Sequence, residues 1–299
     1  MNSYKDLSPS QIELLPSEED ILLYEKTGWY ISPIVLPDEL LEVAVGATHS
    51  FYKGEVDFRH PEIAGPANDV FDGKKALINN EFVSLQKKEI KNIVRHPMVA
   101  AIGAKLSRTK EIRLFADALM CKFPQKEKEN STFGWHRDKA YWPSCTSQNM
   151  LTAWIPLQDT TVDMGPMIVI ENSHNWDLTG ELKKYCAAGN KDLEGLKDYL
   201  ERSKTDYKYI PMALKRGQLS FHHGDVFHAS SVNSSDKNRI SITIHLQDES
   251  NTFKQAYNDA GEKIRIGYER ICREDENGNP DYRDPKIFPV LWDAKSENC

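Results

Sequence analysis

The sequence predicts a mainly β domain with flanking helices (an α+β class), and three observations lead to that prediction. Apolar segments of strand length recur from residue 112 onward, whereas the first third of the chain carries apolar residues at helical spacing. The segment from Arg239 to Leu246 alternates polar and aliphatic residues strictly, which is the strongest strand pattern in the chain. A chain of 299 residues, 39% of them hydrophobic, can also bury a substantial core.

The N-terminal third is predicted to be helical after a polar, loosely held arm at residues 1–17. Glycine and proline mark where the elements begin or end, because glycine favours helix C-termini and proline starts or breaks helices. In chain order we predict a helix over Glu18–Thr27, a strand over Trp29–Val35, a helix from Pro37, and two helices within Asn80–Ser107 divided at Pro97.

From residue 112 the pattern changes to short strands separated by turns. The predicted strands are Ile112–Phe123, Met150–Leu157, Met167–Glu171, Gln218–Phe221 and Arg239–Gln247. One stretch between them, residues 178–203, is charged and helix-prone, which is typical of an insertion rather than a core element. Since the sequence shows no internal repeat and no low-complexity segment, we expect residues 18–299 to form a single domain.

Charge and cysteine content narrow the function classes. The formal net charge is −7, so neither nucleic acid nor an anionic membrane surface is an expected partner. The five cysteines are widely spaced and form no C-x-x-C pair, which favours a reducing compartment over a disulfide framework. The polar N-terminus and the lack of a long apolar run in the sequence predict a cytoplasmic protein with no membrane anchor.

Two histidines and a carboxylate suggest a metal site. His136 and Asp138 lie two positions apart, so on a strand both side chains would project from one face. Such a pair taken alone is also common as a surface polar pair. His228, in a second histidine-rich segment, would complete the facial set of two histidines and one carboxylate that non-haem iron(II) oxygenases use. This ligand set leaves open positions for a chelating acid and dioxygen.

Arg239 follows His228 by eleven residues and begins the alternating strand. Its isoleucines should enter a core, while Arg239, Ser241 and Thr243 share the opposite face and can line a polar pocket beside the metal. A guanidinium binds a carboxylate through two parallel hydrogen bonds, which a lysine cannot copy. We therefore predict that Arg239 and Ser241 bind the distal carboxylate of a dicarboxylic keto acid.

Together these motifs resemble the phytanoyl-CoA dioxygenase family of iron/2-oxoglutarate oxygenases. The family pattern is H-x-D, a long gap, then a histidine followed after ten residues by R-x-S. Further similar segments are Tyr24–Tyr30, Leu151–Leu157, Gly165–Met167 and Glu171–His174, in the last of which Asn172 stands where the family usually has glycine. The resemblance covers residues 18 to 250.

The resemblance implies a double-stranded β-helix, a jelly-roll barrel of two antiparallel sheets with helices along one side. It implies Fe(II) and 2-oxoglutarate at the site, with O2 as oxidant and ascorbate as the in vitro reductant. It also implies that Trp154 lies near the 2-oxoglutarate and that Lys122 lies on a strand that contributes to the same pocket. Because halogenating relatives have glycine or alanine in place of Asp138, the aspartate favours oxygenation.

Residues that would contact the substrate are less evident from the sequence. Tyr141, Trp142 and Phe227 adjoin the metal motifs and are candidates, although each could equally belong to the core. The long loop from Phe51 to Asn80 is a further candidate, because loops over a rigid barrel commonly carry specificity. Of the other histidines, His222 or His223 is expected to line the pocket or hydrogen-bond on its strand, His245 is expected beside the ligands, and His49, His60, His96 and His174 are expected to be structural or exposed.

The sequence therefore predicts a hydroxylase of a small polar metabolite, and it suggests a natural-product intermediate, for example an alkaloid, as the substrate class. Epoxidation, desaturation or ring closure at the same site stays open. So do a non-catalytic jelly-roll that only binds metabolites and a cupin-like hydrolase or isomerase that uses zinc or manganese. The sequence makes no prediction of oligomeric state.

Overall fold

The computed structural model describes residues 2–66, 76–125, 132–186, 192–258 and 260–294. Its helices are α1 (Pro9–Glu13), α2 (Glu18–Thr27), α3 (Asp38–Tyr52), α4 (Lys88–Val94), α5 (Pro97–Leu106) and α6 (Gly195–Arg202). Its strands are β1 (Trp29–Ile31), β2 (Leu77–Glu81), β3 (Glu111–Lys122), β4 (Phe133–His136), β5 (Leu151–Pro156), β6 (Met167–Ile170), β7 (Tyr209–Pro211), β8 (Ser220–His223), β9 (His228–Ser230), β10 (Arg239–Asp248), β11 (Ala256–Tyr257), β12 (Lys263–Ile264) and β13 (Val290–Asp293).

The larger sheet has the strand order β1-β8-β5-β10-β3-β13, and β2 also pairs with β3. Its centre is β10, which pairs antiparallel with β5 on one side and with β3 on the other. The register places Arg239 opposite Lys122, and Thr243 opposite both Trp154 and Ala118. Alternate residues of five neighbouring strands therefore face the same side of this sheet.

The smaller sheet has the order β4-β9-β6-β7, and it faces the larger one across a shared pocket. Two antiparallel sheets in this arrangement form the predicted double-stranded β-helix, and the mainly β class with flanking helices is confirmed. The closure leaves an interior face on each sheet, and both interior faces carry the polar residues of the candidate site.

The outer face of the larger sheet is covered by the N-terminal helices. Ile240, Ile242 and Ile244 are buried there in one apolar cluster with residues of α3, α4 and α5, as the alternating pattern predicted. Helix α2 has the predicted bounds, because Ser17 caps its first turn and Gly28 ends it with a left-handed backbone. Burying one face of β10 in this cluster fixes the register that points its polar face into the pocket.

The structure corrects three predictions in the N-terminal third. Residues 1–17 were expected to form a loose arm, but Leu7 and Leu15 are buried in the helical layer and residue 2 bridges to Trp292. The strand at Trp29 ends at Ile31 rather than Val35. Asn80 belongs to β2 rather than to a helix, since β2 pairs with β3 and this long-range pairing overrides the local pattern.

The stretch 178–203 is helical where it is described, with a 3-10 helix over Gly180–Cys186 and α6. Leu196 and Leu200 of α6 are buried in a cluster with Trp135 and Phe227, so this segment covers the smaller sheet. Asn172, the departure from the family glycine, has φ of 64°, a left-handed conformation that asparagine tolerates better than most residues. The substitution thus keeps the turn.

After residue 250 the chain returns across the barrel mouth. Tyr268 and Tyr282 pack edge-on against Phe115 of β3, in a cluster that also holds Trp142. Strand β13 then pairs with β3 at the edge of the larger sheet. Among the described residues, no helix is both long and apolar enough to cross a membrane.

Candidate metal centre and adjoining pocket

A pocket with an empty volume of about 850 Å³, partly open to solvent, lies between the two sheets. Its walls come from β2, β3, β5, β8 and β10 of the larger sheet and from β4, β6 and β9 of the smaller one. The predicted metal residues His136, Asp138 and His228 line it together with Arg239 and Trp154. The barrel thus collects residues that are far apart in sequence into one cavity.

His136 and His228 face each other because their strands pair at that position. The ring centroids are 4.1 Å apart. The Nδ1 of His136 donates to the carbonyl of Gly134 at 2.8 Å, and the Nδ1 of His228 donates to the carbonyl of Val226 at 3.0 Å. Because a carbonyl only accepts, both rings carry their proton on Nδ1 and keep Nε2 free for a metal.

Asp138 does not lie on the strand of His136, which corrects the expectation that one strand carries both. Strand β4 ends at His136, and Asp138 begins a 3-10 helix, Asp138–Tyr141. Its Oδ2 accepts hydrogen bonds from Thr152 Oγ1 at 2.5 Å and from His222 Nε2 at 3.1 Å. Its Oδ1 lies 3.4 Å from His228 Nε2. One carboxylate oxygen is therefore held by the larger sheet and the other faces the histidines.

The potential ligand atoms of His136, Asp138 and His228 all lie within 4.8 Å of one another. Burial lowers the pKa of His136 to about 3, so this ring is neutral near pH 7. Burial alone would raise the pKa of the Asp138 carboxyl, but His228, His245 and His222 outweigh it and hold that pKa well below its ordinary value. The site accordingly offers a neutral imidazole at His136 and an ionised carboxylate at Asp138. Burial alone would lower the pKa of His228, but Asp138 outweighs it and raises that pKa, so metal binding would release any proton held on this ring.

A second row of polar residues supports Asp138 from the larger sheet. His245 Nδ1 lies 2.9 Å from Thr152 Oγ1, and since the threonine proton goes to Asp138, His245 donates to the hydroxyl. The His245 ring packs edge-on against Trp142 at 4.8 Å. The expectations that His222 hydrogen-bonds on its strand and that His245 lies beside the ligands agree with these contacts. A chain of hydrogen bonds of this kind fixes the orientation of a ligand.

Arg239 lies in the wall at the other end of the pocket and is 1% exposed. Its NH1 donates to the carbonyl of Gly165 at 2.8 Å, and its guanidinium carbon lies 5.5 Å from the ring centroid of Trp154. Its Nε and the Oγ of Ser241 are buried without a hydrogen-bond partner among the described residues. Burial lowers the pKa of Arg239 to about 10, which still leaves the guanidinium charged near pH 7.

Lys122 lies behind the wall rather than in the pocket. Its Nζ donates to Ser230 Oγ at 2.7 Å and to the carbonyl of Ser231. Burial, aided by the positive charge of Arg239, lowers the pKa of Lys122 to about 6. The structure therefore places a largely neutral amine next to Arg239. Lys122 does not line the pocket, so it does not contribute to it directly as the resemblance implied.

The three residues predicted to contact the substrate lie in different positions relative to the pocket. Tyr141 lines the pocket at its open side, and its ring packs edge-on against His136 at 5.6 Å. Trp142 reaches the lining but is 2% exposed and packs on Phe115. Phe227 is buried in the cluster of the smaller sheet with Trp135, away from the pocket lining, so its sequence position beside His228 is misleading. Successive residues of a strand face opposite sides, which explains the difference.

The remaining histidines lie outside the ligand set. His96 caps the start of α5, accepting from the Met98 amide, and His49 is exposed on α3. His174 Nε2 contacts the carbonyl of Glu25, and His223 Nε2 contacts that of Gln148. His60 accepts from the Glu62 amide. Part of the loop from Phe51 to Asn80, residues 67–75, lies outside the described residues.

Several pocket residues were missed from the sequence. Thr152 could have been found, because it lies two positions before Trp154 and so shares its face of β5. Glu81 of β2 lines the pocket, but the sequence pattern assigned it to a helix; Asn79, which also lines the pocket, lies in the loop from Phe51 to Asn80 that was a candidate. Tyr268 lines it from a segment beyond the part of the chain that resembles the family.

Known proteins with similar sequences include phytanoyl-CoA dioxygenases and proteins that contain a phytanoyl-CoA dioxygenase domain. Phytanoyl-CoA dioxygenase domain-containing protein 1 of Danio rerio is 28% identical over 119 residues, which are 39% of this chain and 40% of that protein. The peroxisomal phytanoyl-CoA dioxygenase of Homo sapiens is 25% identical over 43% of this chain and 37% of its own length. The matched region thus spans about two fifths of these relatives. A probable phytanoyl-CoA dioxygenase of Caenorhabditis elegans is 23% identical over 77% of this chain and 74% of its own.

Solved structures share the fold at low sequence identity. The non-haem alpha-ketoglutarate-dependent carbocyclase SnoK from nogalamycin biosynthesis covers 92% of this chain and 96% of its own, with a TM-score of 0.66 and 20% identity. EctD from S. alaskensis, solved with 2-oxoglutarate and 5-hydroxyectoine, covers 83% of this chain and 82% of its own, with a TM-score of 0.63 and 15% identity. Residues 50–241 match the phytanoyl-CoA dioxygenase (PhyH) family. The chain belongs to the phytanoyl-CoA dioxygenase family, among the Fe(II)/2-oxoglutarate-dependent oxygenases.

Proposed function

We propose that the protein is an Fe(II)- and 2-oxoglutarate-dependent dioxygenase that hydroxylates an unactivated C–H bond of a small polar metabolite, with release of succinate and carbon dioxide. A natural-product intermediate, of alkaloid type, is the substrate class we favour. The observation that carries the proposal is the meeting of His136, Asp138 and His228 within 4.8 Å in the same pocket as Arg239.

The donor set fits iron(II). Two imidazole nitrogens and one carboxylate on one side of a cavity form the facial arrangement that non-haem iron oxygenases use, with the opposite positions open. Zinc sites of catalytic type also take three protein ligands, so the ligand count alone would not choose the metal. The choice of iron rests on the family and on the anion-binding site that Arg239 forms beyond the triad.

The other end of the pocket fits a dicarboxylic keto acid. The buried Arg239 Nε and Ser241 Oγ are hydrogen-bond donors that lack partners among the described residues, and a buried donor without a partner costs free energy. A carboxylate placed there would accept from both and would face the guanidinium charge. We assign this end to the distal carboxylate of 2-oxoglutarate, with Trp154 as the apolar wall beside it.

When bound, iron and 2-oxoglutarate supply the activation of O2 and the oxidation of the substrate carbon. The residues of the chain contribute position and environment. Thr152 and His222 hold one oxygen of Asp138, so its other oxygen stays directed at the histidines. Gly134 and Val226 hold the histidine tautomers. The apolar walls limit water at the centre, which protects a reactive site from side reactions.

The presence of Asp138 favours hydroxylation over halogenation, because the carboxylate occupies the position that a halide would need. Free cysteines at positions 121, 145 and 272 suit a reducing compartment, and we place the enzyme in the cytoplasm. Cyclisation and epimerisation, the reactions of the similar carbocyclase SnoK and epimerase SnoN, are outcomes that product analysis would distinguish from hydroxylation.

The test is substrate-dependent succinate release under air with iron(II), ascorbate and 2-oxoglutarate, across a panel of polar metabolites. His136→Ala should abolish release because it removes one metal ligand, and His49→Ala, an exposed histidine on α3, serves as the matched control. Mass spectrometry of the product should show one added oxygen. Equal succinate from the wild type and His136→Ala would refute the assignment of the triad.

A further inference from the structure

Glu81 brings a negative charge to the open side of the pocket. It is the last residue of β2, paired with Ala118 of β3, and its side chain is one of those that line the pocket. Asn79, two residues earlier on the same face, lines it as well. Both lie on the wall opposite the smaller sheet, which carries the two histidines. A molecule that filled the pocket would therefore contact both the metal ligands and these two side chains.

The charge of Glu81 is not neutralised by any ion pair within the described part of the chain. Its hydrogen-bond partner is Tyr268, whose hydroxyl donates to Glu81 Oε1 at 3.1 Å. Burial raises the pKa of the Glu81 carboxyl, while this hydrogen bond opposes the rise. The Glu81 side chain is exposed to solvent as well as lining the pocket, so a positive ligand entering from solvent can reach its unpaired carboxylate.

Aromatic rings surround the same opening. Tyr141 is 37% exposed, and Phe133 and Tyr268 also line the pocket. The ring of Tyr268 is fixed by edge-on contacts with Phe82 at 5.0 Å and Phe115 at 5.4 Å between centroids. Aromatic faces attract cations, with amines and guanidines as the usual ligands. An acid among aromatic rings is thus a combination suited to a positively charged nitrogen.

Charge balance in the loaded site leads to the same class of ligand. Iron(II) and Arg239 bring three positive charges, which the carboxylate of Asp138 and the dianion of 2-oxoglutarate offset. Lys122 adds little, because its amine is largely neutral at pH 7. Glu81 is then the one unbalanced charge among the described lining residues. A substrate with a single positive charge would make the filled pocket neutral.

We propose that the substrate carries a cationic nitrogen group, an amine or guanidine, and that Glu81 binds this group at the pocket opening while a C–H bond of the substrate faces the metal. The inference rests on the proposed function and adds the substrate class to it. Tyr268 orients the carboxylate, and Tyr141 and Phe133 pack against the nitrogen-bearing part. Glu81 is therefore a determinant of specificity rather than of oxygen chemistry.

The experiment uses a panel of small alkyl and arylalkyl amines, each paired with its N-acetyl derivative, and of alkylguanidines, each paired with the corresponding urea. Both kinds of partner remove the charge and keep the carbon skeleton. Binding to the metal-free protein is measured by calorimetry, and succinate release is measured separately with iron and 2-oxoglutarate. We expect cationic members to bind and their uncharged partners to bind at least ~10-fold more weakly. Glu81→Gln should weaken the binding of the cations by ~10-fold or more and leave the binding of the uncharged partners unchanged.

Glu81→Asp should restore most of the preference for cations, because it keeps the charge. Glu276→Gln, at an exposed position in the loop between β12 and β13, is the matched control and should bind as the wild type does. A panel without a cation-selective ligand, or cation binding that Glu81→Gln leaves intact, would overturn the proposal. Failure of the proposed function has a different signature, namely binding of cations with no succinate formed from any member.

Discussion

The two ends of the pocket differ in how completely the protein satisfies the polar side chains that would bind the metal or the co-substrate. At the metal end, His136, Asp138 and His228 are each held by at least one hydrogen bond from backbone or side chains. At the other end, Arg239 and Ser241 keep buried donors without partners among the described residues. The comparison indicates that the metal end is built in advance, whereas the second end is completed by a ligand.

This difference has a physical reason. A metal ion needs ligand atoms at defined positions, so the chain must fix each side chain before the ion arrives. A dicarboxylate brings its own acceptors, and donors that already had partners in the protein would have to break those bonds to bind it. Unpaired donors therefore raise the affinity for an acid at the expense of stability in the free protein.

The largest effect that would sharpen the comparison is expected from Arg239→Ala. Loss of the charge-assisted hydrogen bond from Nε and of the facing guanidinium charge, about 3 kcal/mol together, should raise the Kd for 2-oxoglutarate by ~100-fold. Isothermal titration in the presence of manganese measures this directly. Arg113→Ala, on the neighbouring strand β3 and paired with Glu111, is the control. An unchanged Kd would move the carboxylate site elsewhere.

A smaller effect, at the opposite end, is expected from Thr152→Val. The valine keeps the shape but loses the hydrogen bond to Asp138 Oδ2, so the carboxylate is less firmly oriented. Partners of metal ligands typically contribute 10–100-fold to metal affinity, and we expect a loss of ~30-fold for iron(II) with little change for 2-oxoglutarate. Thr48→Val, a buried threonine of α3 that donates to Ala44, is the control. Equal iron affinity in the two variants would argue against advance positioning.

Lys122→Met tests whether the second end costs stability. Burial, with Arg239 nearby, lowers the pKa of Lys122 to about 6 from 10.5. Between these values the unfolded chain holds a proton that the folded protein has released, so stability rises with pH. Methionine removes this penalty, about 5 kcal/mol at pH 7, but also loses the two hydrogen bonds of Lys122, so we expect the free energy of unfolding at pH 7 to increase by a net ~2 kcal/mol, with the gain shrinking toward pH 10.

Urea unfolding of the wild type and Lys122→Met at pH 6, 7 and 9 measures that gain. A variant less stable at every pH would mean that the hydrogen bonds of Lys122 to Ser230 and the Ser231 carbonyl outweigh the cost of burying the amine. In that case the Arg239 end of the pocket would not reduce the stability of the free protein, and the proposed difference between the two ends would be wrong on this point.

The smallest effect is expected from Ser241→Ala. One hydrogen bond of about 1 kcal/mol to the carboxylate should be lost, so the Kd for 2-oxoglutarate should rise ~5-fold. Because the Ser241 hydroxyl has no partner in the free protein among the described residues, the substitution should not lower the melting temperature. Ser50→Ala on α3, where the hydroxyl donates to Ala47, is the control. A lower melting temperature with unchanged Kd would assign Ser241 to the fold alone.

The sequence was informative where a pattern is local. The alternation from Arg239 predicted β10 and its two faces, and Gly28 predicted the end of α2. The family motif predicted which residues would meet at the metal end. These features depend on neighbours along the chain or on a spacing that the family shares.

The sequence was uninformative where side chains meet through the fold. Thr152 and His222 reach Asp138 from β5 and β8, and no local pattern links residues 14 and 84 positions apart. Glu81 was hidden because β2 becomes a strand by pairing with β3 rather than by its own pattern. The burial of Leu7 and Leu15 likewise follows from packing against distant helices.

Asp138 has a further consequence for the barrel as a whole. His136 and His228 belong to the smaller sheet, while Thr152 and His222 hold Asp138 from the larger one. An ion bound to all three ligands would therefore connect the two sheets at the end where the pocket opens. Chelation should then make this end of the sandwich more susceptible to proteolysis, so metal supply would determine the lifetime of the protein as well as its chemistry.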